Sequence, residues 1–130
     1  STYVANIDYF NFSSNTTATA HGNLSQARGN AAGTSSMTRG YTSGGITGSN
    51  VDTIDYFDFS SNTTATDHGN LSVARWSATG QSHITSGYTS GGAAADWTNV
   101  IDKFDYSSNS TASDHGDLSV ARGHSAGTQY

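Results

Sequence analysis

The sequence contains no cysteine and no proline, and only 12% of its residues are charged. Without cysteine, neither a disulfide nor a thiolate metal site can form, and the redox compartment stays open. The lack of proline is unusual for a loop-rich chain, and nothing else in the sequence accounts for it. Five lysines and arginines stand against ten acidic residues, for a formal net charge of −5 and a pI near 5.2. A phosphate-binding surface needs clustered cations, so nucleic acid is not an expected partner. No apolar run approaches the length of a membrane span, and no basic-then-apolar leader is visible within these residues. Membrane insertion is therefore not expected.

Hydrophobic residues make up 33% of the chain, and mean hydropathy is −0.51. Gly, Ser, Thr, Asn and Ala fill the remaining space. Such a profile alone would suit a disordered tract. Aromatics argue the other way: they make up 11% of the 130 residues and return at fixed positions.

That return is the dominant feature. Ile7-Asp8-Tyr9-Phe10 recurs as Ile54-Asp55-Tyr56-Phe57 and as Ile101-Asp102-Lys103-Phe104, each 47 residues on, without insertion or deletion. Ser13-Ser14-Asn15, His21-Gly22, Leu24 and Ala27-Arg28 recur at the same offset. Gly40-Tyr41-Thr42-Ser43-Gly44-Gly45 returns once, as Gly87-Tyr88-Thr89-Ser90-Gly91-Gly92. The chain thus reads as one repeat domain, 1–130, with copies at 7–53, 54–100 and 101–130 and with 1–6 as a permuted lead-in. The third copy stops at a position matching Ser36, so it lacks the counterpart of residues 37–47.

Each copy predicts four short strands and no helix, because no segment holds 3.6-residue apolar spacing. The run Thr53 to Phe59 is aromatic-rich and ends in the turn residues Ser60-Ser61-Asn62. Thr63 to Thr66 suits a second strand, closed by a tight turn or bulge at Asp67-His68-Gly69-Asn70. Leu71 to Thr79 and Ile84 to Ser90 complete the set. Four strands in 47 residues match one propeller blade.

With these motifs in place, the sequence resembles the kelch-like repeats of bacteriophage structural proteins. The Ile-Asp-Tyr strand, the turn before Asn-Leu-Ser or Asp-Leu-Ser, the Arg and the paired glycines carry the resemblance across nearly the whole chain. His21, His68 and His115 stand where that family has a turn aromatic, and Tyr41 and Tyr88 stand among small polar residues. The resemblance implies an all-β propeller and a virion or extracellular setting, without naming a ligand. Length favours a rival, a three-fold β-trefoil or β-prism, since three blades do not close a ring of four to eight. The propeller is the leading expectation, and it calls for a homo-oligomer to complete the ring.

Few residues point to chemistry. One histidine per copy invites a three-His metal site, but blades would hold the three apart, and turn packing is the expected role. No metal or cofactor is expected. Asp67 with Arg75, or Asp114 with Arg122, are the expected ion pairs, with Arg28 in the same repeating place. Carboxylates and serines that repeat with the scaffold suit a structural role better than catalysis, so an enzyme is not expected. Copper oxidases of the kelch type need a cysteine cross-linked to tyrosine, which this chain cannot supply.

What differs between copies is more informative about binding. Trp76 stands where the other copies have Gly29 and Gly123, and Trp97 where the first has Asn50. With Asp96, Asn99, Tyr88 and His83 they form a candidate site for surface glycans, by ring stacking and directional hydrogen bonds. Packing or a subunit contact is the competing use of the two tryptophans. Sequons at Asn11, Asn15, Asn23, Asn62, Asn70 and Asn109 carry meaning only in a glycosylating host. The functional expectation is a non-enzymatic surface module recognising carbohydrate or another receptor. The alternative is a self-assembling ring or filament protein with no small-molecule ligand.

Overall fold

The computed structural model describes residues 2–128. Among them the fold is all-β, with ten strands in three sheets and no closed barrel. Strands β1 (Asn6–Tyr9) and β2 (Thr19–Asn23) form a two-stranded first sheet. The second sheet is an antiparallel meander of β3 (Ala32–Ser35), β4 (Arg39–Ser43), β5 (Thr53–Asp58) and β6 (Thr66–Asn70). The third repeats it with β7 (Thr79–Ser82), β8 (Ser86–Ser90), β9 (Val100–Asp105) and β10 (Ser113–Asp117). Each complete sheet therefore starts late in one sequence copy and ends early in the next.

Alternation along β5 explains why the sheets stack. Ile54 and Tyr56 project from one face, towards the third sheet, while Asp55 and Phe57 project from the other, towards the first. Both faces of a middle sheet are thus partly apolar and need covering. Between the second and third sheets the core comprises Tyr41, Ile54, Leu71, Phe104 and Ala112, edged by Tyr56 and Tyr106.

Glycine sets the spacing where the sheets come closest. A Cβ on Gly80 would collide with the carbonyl of Gly33, and one on Gly127 with the carbonyl of Gly80. Backbone hydrogen bonds repeat the same step: Ala65 N–H to the Asn23 carbonyl and Ala112 N–H to the Asn70 carbonyl, both 2.7 Å. Ser77 N–H to the Asn30 carbonyl at 2.9 Å and His124 N–H to the Ser77 carbonyl at 3.1 Å do likewise. Asn30, Ser77 and His124 are also the non-glycine residues with positive φ, at 53°, 54° and 53°. One junction geometry recurs along the chain.

Two local expectations need correction, and a third is narrowed to one of its alternatives. Residues 63–65 are not in a strand; β6 begins at Thr66 and runs on through 67–70, where of the expected tight turn or bulge it is the bulge that forms. Asp55 pairs with Asp67 and Ile54 with Gly69, so His68 is the extra residue of a bulge, and Gly69 takes φ 137° there. Leu71 to Thr79 is an extended loop up to β7. Its amides bond to scattered partners, Arg75 to Val51, Trp76 to Ala93 and Ser77 to Asn30, so no ladder forms.

Candidate functional site

Two kinds of side-chain contact recur at each junction, and both are left open at the ends of the stack. The first is ionic. Arg28 meets Asp55 at 3.2 Å and Arg75 meets Asp102 at 3.0 Å, all four side chains fully buried. The aspartate is also held by the loop that carries the arginine, with Ser72 N–H donating to Asp102 Oδ2 at 2.9 Å and Ser25 N–H to Asp55 Oδ2 at 3.1 Å. The arginine also donates to a strand carbonyl, Thr89 from Arg75 at 2.8 Å and Thr42 from Arg28 at 3.2 Å. Burial lowers the Arg28 pKa from its usual value, against the pull of Asp55.

These pairs correct the expected ones. Arg75 does not meet Asp67, whose Oδ1 accepts the Gly69 amide at 2.9 Å, and Asp114 likewise serves Gly116. A partner at the Asp67 position cannot serve every copy, because the first copy has Ala20 there. The aspartate of the Ile-Asp motif does recur in all three copies. At the two ends of the series, Asp8 and Arg122 are exposed and make no ion pair among the described residues.

The second contact is aromatic. Tyr41 lies stacked on Tyr106, with ring centroids 4.5 Å apart, and meets His68, Phe104 and Tyr56 at 5.1, 5.8 and 6.1 Å. The His68 Nε2 lies 2.8 Å from the Asp105 carbonyl; a carbonyl only accepts, so this nitrogen carries the proton. One copy earlier the frame is the same. His21 Nε2 donates to the Asp58 carbonyl at 2.8 Å and its ring packs on Tyr9 and Phe57, each at 5.7 Å. No described residue, however, takes the place of Tyr41 there. A cleft of about 720 Å³ stands instead, lined by Ile7, Tyr9, Phe10, His21, Phe57 and Phe59 among others. The sequence marks the lining residues as repeat and strand positions, with nothing in it to mark them as a site.

His21, His68 and His115 sit on β2, β6 and β10, one per sheet, and His115 packs against Tyr88 at 5.1 Å. No cluster of metal-ligating side chains occurs among the described residues.

The tryptophans do come together. Trp76 and Trp97 rings are 6.3 Å apart and tilted by 40°, and both meet the edge of His124, at 5.8 and 5.5 Å. Their backbones flank Ala93 from either side. Trp97 is 48% exposed, although its ring also lies over Gly123. Asp96 and Asn99 flank it in the chain, in the turn that closes on the Asp96 carbonyl and at the carbonyl that receives the Leu118 amide. Tyr88 and His83 lie elsewhere: Tyr88 faces His115 from mid-β8, and His83 bonds Thr85 in the β7–β8 turn at 3.2 Å. His124 is a residue that the sequence gives no reason to group with the tryptophans. Its place beside the tryptophans follows from the left-handed turn it shares with Asn30 and Ser77.

One string, Gly123-His124-Ser125-Ala126-Gly127, spells the Gly-x-Ser-x-Gly pattern of a nucleophile elbow. The elbow requires a strand-to-helix turn. Here the Ser125 hydroxyl lies 2.8 Å from the Thr79 hydroxyl in a repeat junction, and no helix follows among the described residues.

No protein-family model matches the chain, and no curated protein matches it.

Proposed function

We propose that the protein is a self-assembling structural module that stacks copies head to tail through the contacts its own repeats use. One observation carries this reading: the Arg–Asp series ends in an exposed Arg122 at one end and an exposed Asp8 at the other. Counted in repeats, Asp8 of a second copy stands to Arg122 as Asp102 stands to Arg75. Opposite charges at the two ends of one chain form a heterologous, self-propagating contact, which gives a ring if the rotation closes and a filament if not.

The surfaces around those charges fit as well. Phe10 and Phe12 are 63% and 95% exposed. Their counterparts one and two copies on are Phe57 and Phe59, then Phe104 and Tyr106. Phe104 and Tyr106 pack on Tyr41 and His68. At the far end Tyr88 and His115 stand in the places of Tyr41 and His68, with His115 exposed. Docking would bury Phe10 and Phe12 of one copy on Tyr88 and His115 of the other. Two exposed phenylalanines contribute about 2–3 kcal/mol each on burial.

The four-stranded meanders are compatible with kelch-like propeller blades, and closure of such a ring by a second copy is the form of assembly we favour. A virion or extracellular setting belongs to the same reading and rests on the motif resemblance alone. Light scattering over a concentration series tests it: mass should rise with concentration, and a single-chain mass throughout would remove the proposal.

A second reading has its own observation. Trp76, Trp97 and His124 form a tilted aromatic group open to solvent, suited to stacking on the apolar face of a sugar ring. A glycan array with wild type and Trp97→Ala addresses it. Loss of a wild-type signal in the variant supports a sugar site, and no wild-type binding to any glycan rejects it.

A further inference from the structure

We propose that the cleft between the first and second sheets binds an extended Gly-Tyr-Thr-Ser-Gly-Gly strand, added to the free edge of β1 with its tyrosine among Tyr9, His21, Phe57 and Phe59. The inference uses the repeat equivalence above, but it does not require copies of the chain to associate.

The occupied form of this site is present in the same molecule. Tyr9, His21, Phe57 and Phe59 correspond, 47 residues on, to Tyr56, His68, Phe104 and Tyr106. Those four residues surround Tyr41, with ring centroids 4.5 to 6.1 Å from it. The empty frame keeps the same internal contacts, including the histidine bond to the carbonyl of the next sheet, 2.8 Å in both. The ligand is therefore read from the site that lacks nothing.

Backbone geometry supplies an independent reason. In the second sheet β5 pairs with β4 along one edge, from Arg39 opposite Asp58 to Ser43 opposite Ile54, and with β6 along the other. In the first sheet β1 pairs, among the described residues, only with β2. Its other edge carries unpaired amides and carbonyls beside an aromatic cleft, which is the arrangement strand addition uses. A second depression of about 360 Å³ adjoins the cleft, sharing Phe57 and Phe59 and floored by Gly33, Ser35, Gly40 and Thr42. It continues the track beyond the tyrosine seat.

The glycine before the tyrosine is part of the specificity. A Cβ on Gly40 would strike the Phe57 ring, and one on Gly87 the Phe104 ring. Phe10 is the corresponding ring on the first sheet, so a bound strand would need glycine beneath it.

A synthetic peptide of residues 37–47, titrated into isotope-labelled protein at a concentration where the chain is dispersed, tests the site. Saturable shifts should centre on Tyr9, Phe10, His21, Phe57 and Phe59. Tyr41→Ala and Gly40→Val peptides should each bind at least about tenfold more weakly, as expected for loss of a buried anchor. No saturable shift at millimolar peptide, or equal binding by the Tyr41→Ala peptide, would overturn the proposal. A single-chain protein that binds the peptide keeps this site and removes the assembly; an assembling protein that ignores the peptide does the reverse.

Discussion

Arg75 and Asp102, 27 residues apart in the chain, meet at 3.0 Å across a sheet junction with both side chains withdrawn from solvent. Removing two charges from water offsets most of their mutual attraction, so such a pair sets register more than it adds stability. Removing only one partner strands the other. Asp102→Asn should therefore lower unfolding free energy by about 3–5 kcal/mol. Arg75→Met with Asp102→Leu should recover most of that loss. Urea denaturation of the three proteins measures both, and a double variant as unstable as the single one would contradict this view of the pair.

Gly80 and Gly33 occupy the same repeat position with different surroundings. The space for a Cβ on Gly80 is taken by the Gly33 backbone, whereas Gly33 has nothing within 4 Å. Gly80→Ala should cost about 1–3 kcal/mol or more, as for other overpacked sites. Gly33→Ala should be neutral or slightly stabilising, because alanine restricts the unfolded chain. Thermal melts of the two variants compare them directly.

Tyr41 and Tyr106 predict a decline at alkaline pH. Burial raises both phenol pKa values above the ordinary one. The unfolded chain then ionises first, so their contribution is whole below about pH 10 and is lost as pH rises through the folded values. Urea midpoints measured through this range should fall. Tyr106→Phe removes the hydroxyl that donates to the Ser35 carbonyl at 3.0 Å, at a cost of about 1 kcal/mol near neutrality. It should also make the alkaline decline shallower, and an unchanged slope would remove the role given to this phenol.

Much of the fold is legible in the sequence because repetition magnifies weak signals. A single Ile-Asp-Tyr-Phe run is a plausible strand, and three at constant spacing identify a repeat. The phase of the sheets is not legible, since a 47-residue period has no natural starting point. Only the structure reveals that each complete sheet begins at Ala32 or Thr79. That phase leaves β1 with one neighbour and opens the cleft beside it. The Arg75 partner was misread by sequence proximity: Asp67 is eight residues away but turned into a bulge, whereas Asp102 arrives from the next sheet. Ala20 held the correcting signal, because a pairing that repeats must find its aspartate in every copy. Trp76 and Trp97 share a departure from the repeat and lie side by side, whereas Tyr88 and His83 are near them in sequence alone.

Head-to-tail stacking rests on Arg122 of one copy meeting Asp8 of the next, and charge reversal at these two exposed positions tests it most directly. Sedimentation velocity over a concentration series should show self-association of the wild type and its loss in Asp8→Arg and in Arg122→Asp. The double reversal should restore assembly, and so should an equal mixture of the single variants, as alternating copies, because each end of one variant then meets an opposite charge on the other. A wild type that sediments as one chain at every concentration, or a double reversal that associates no better than the single variants, would contradict the account.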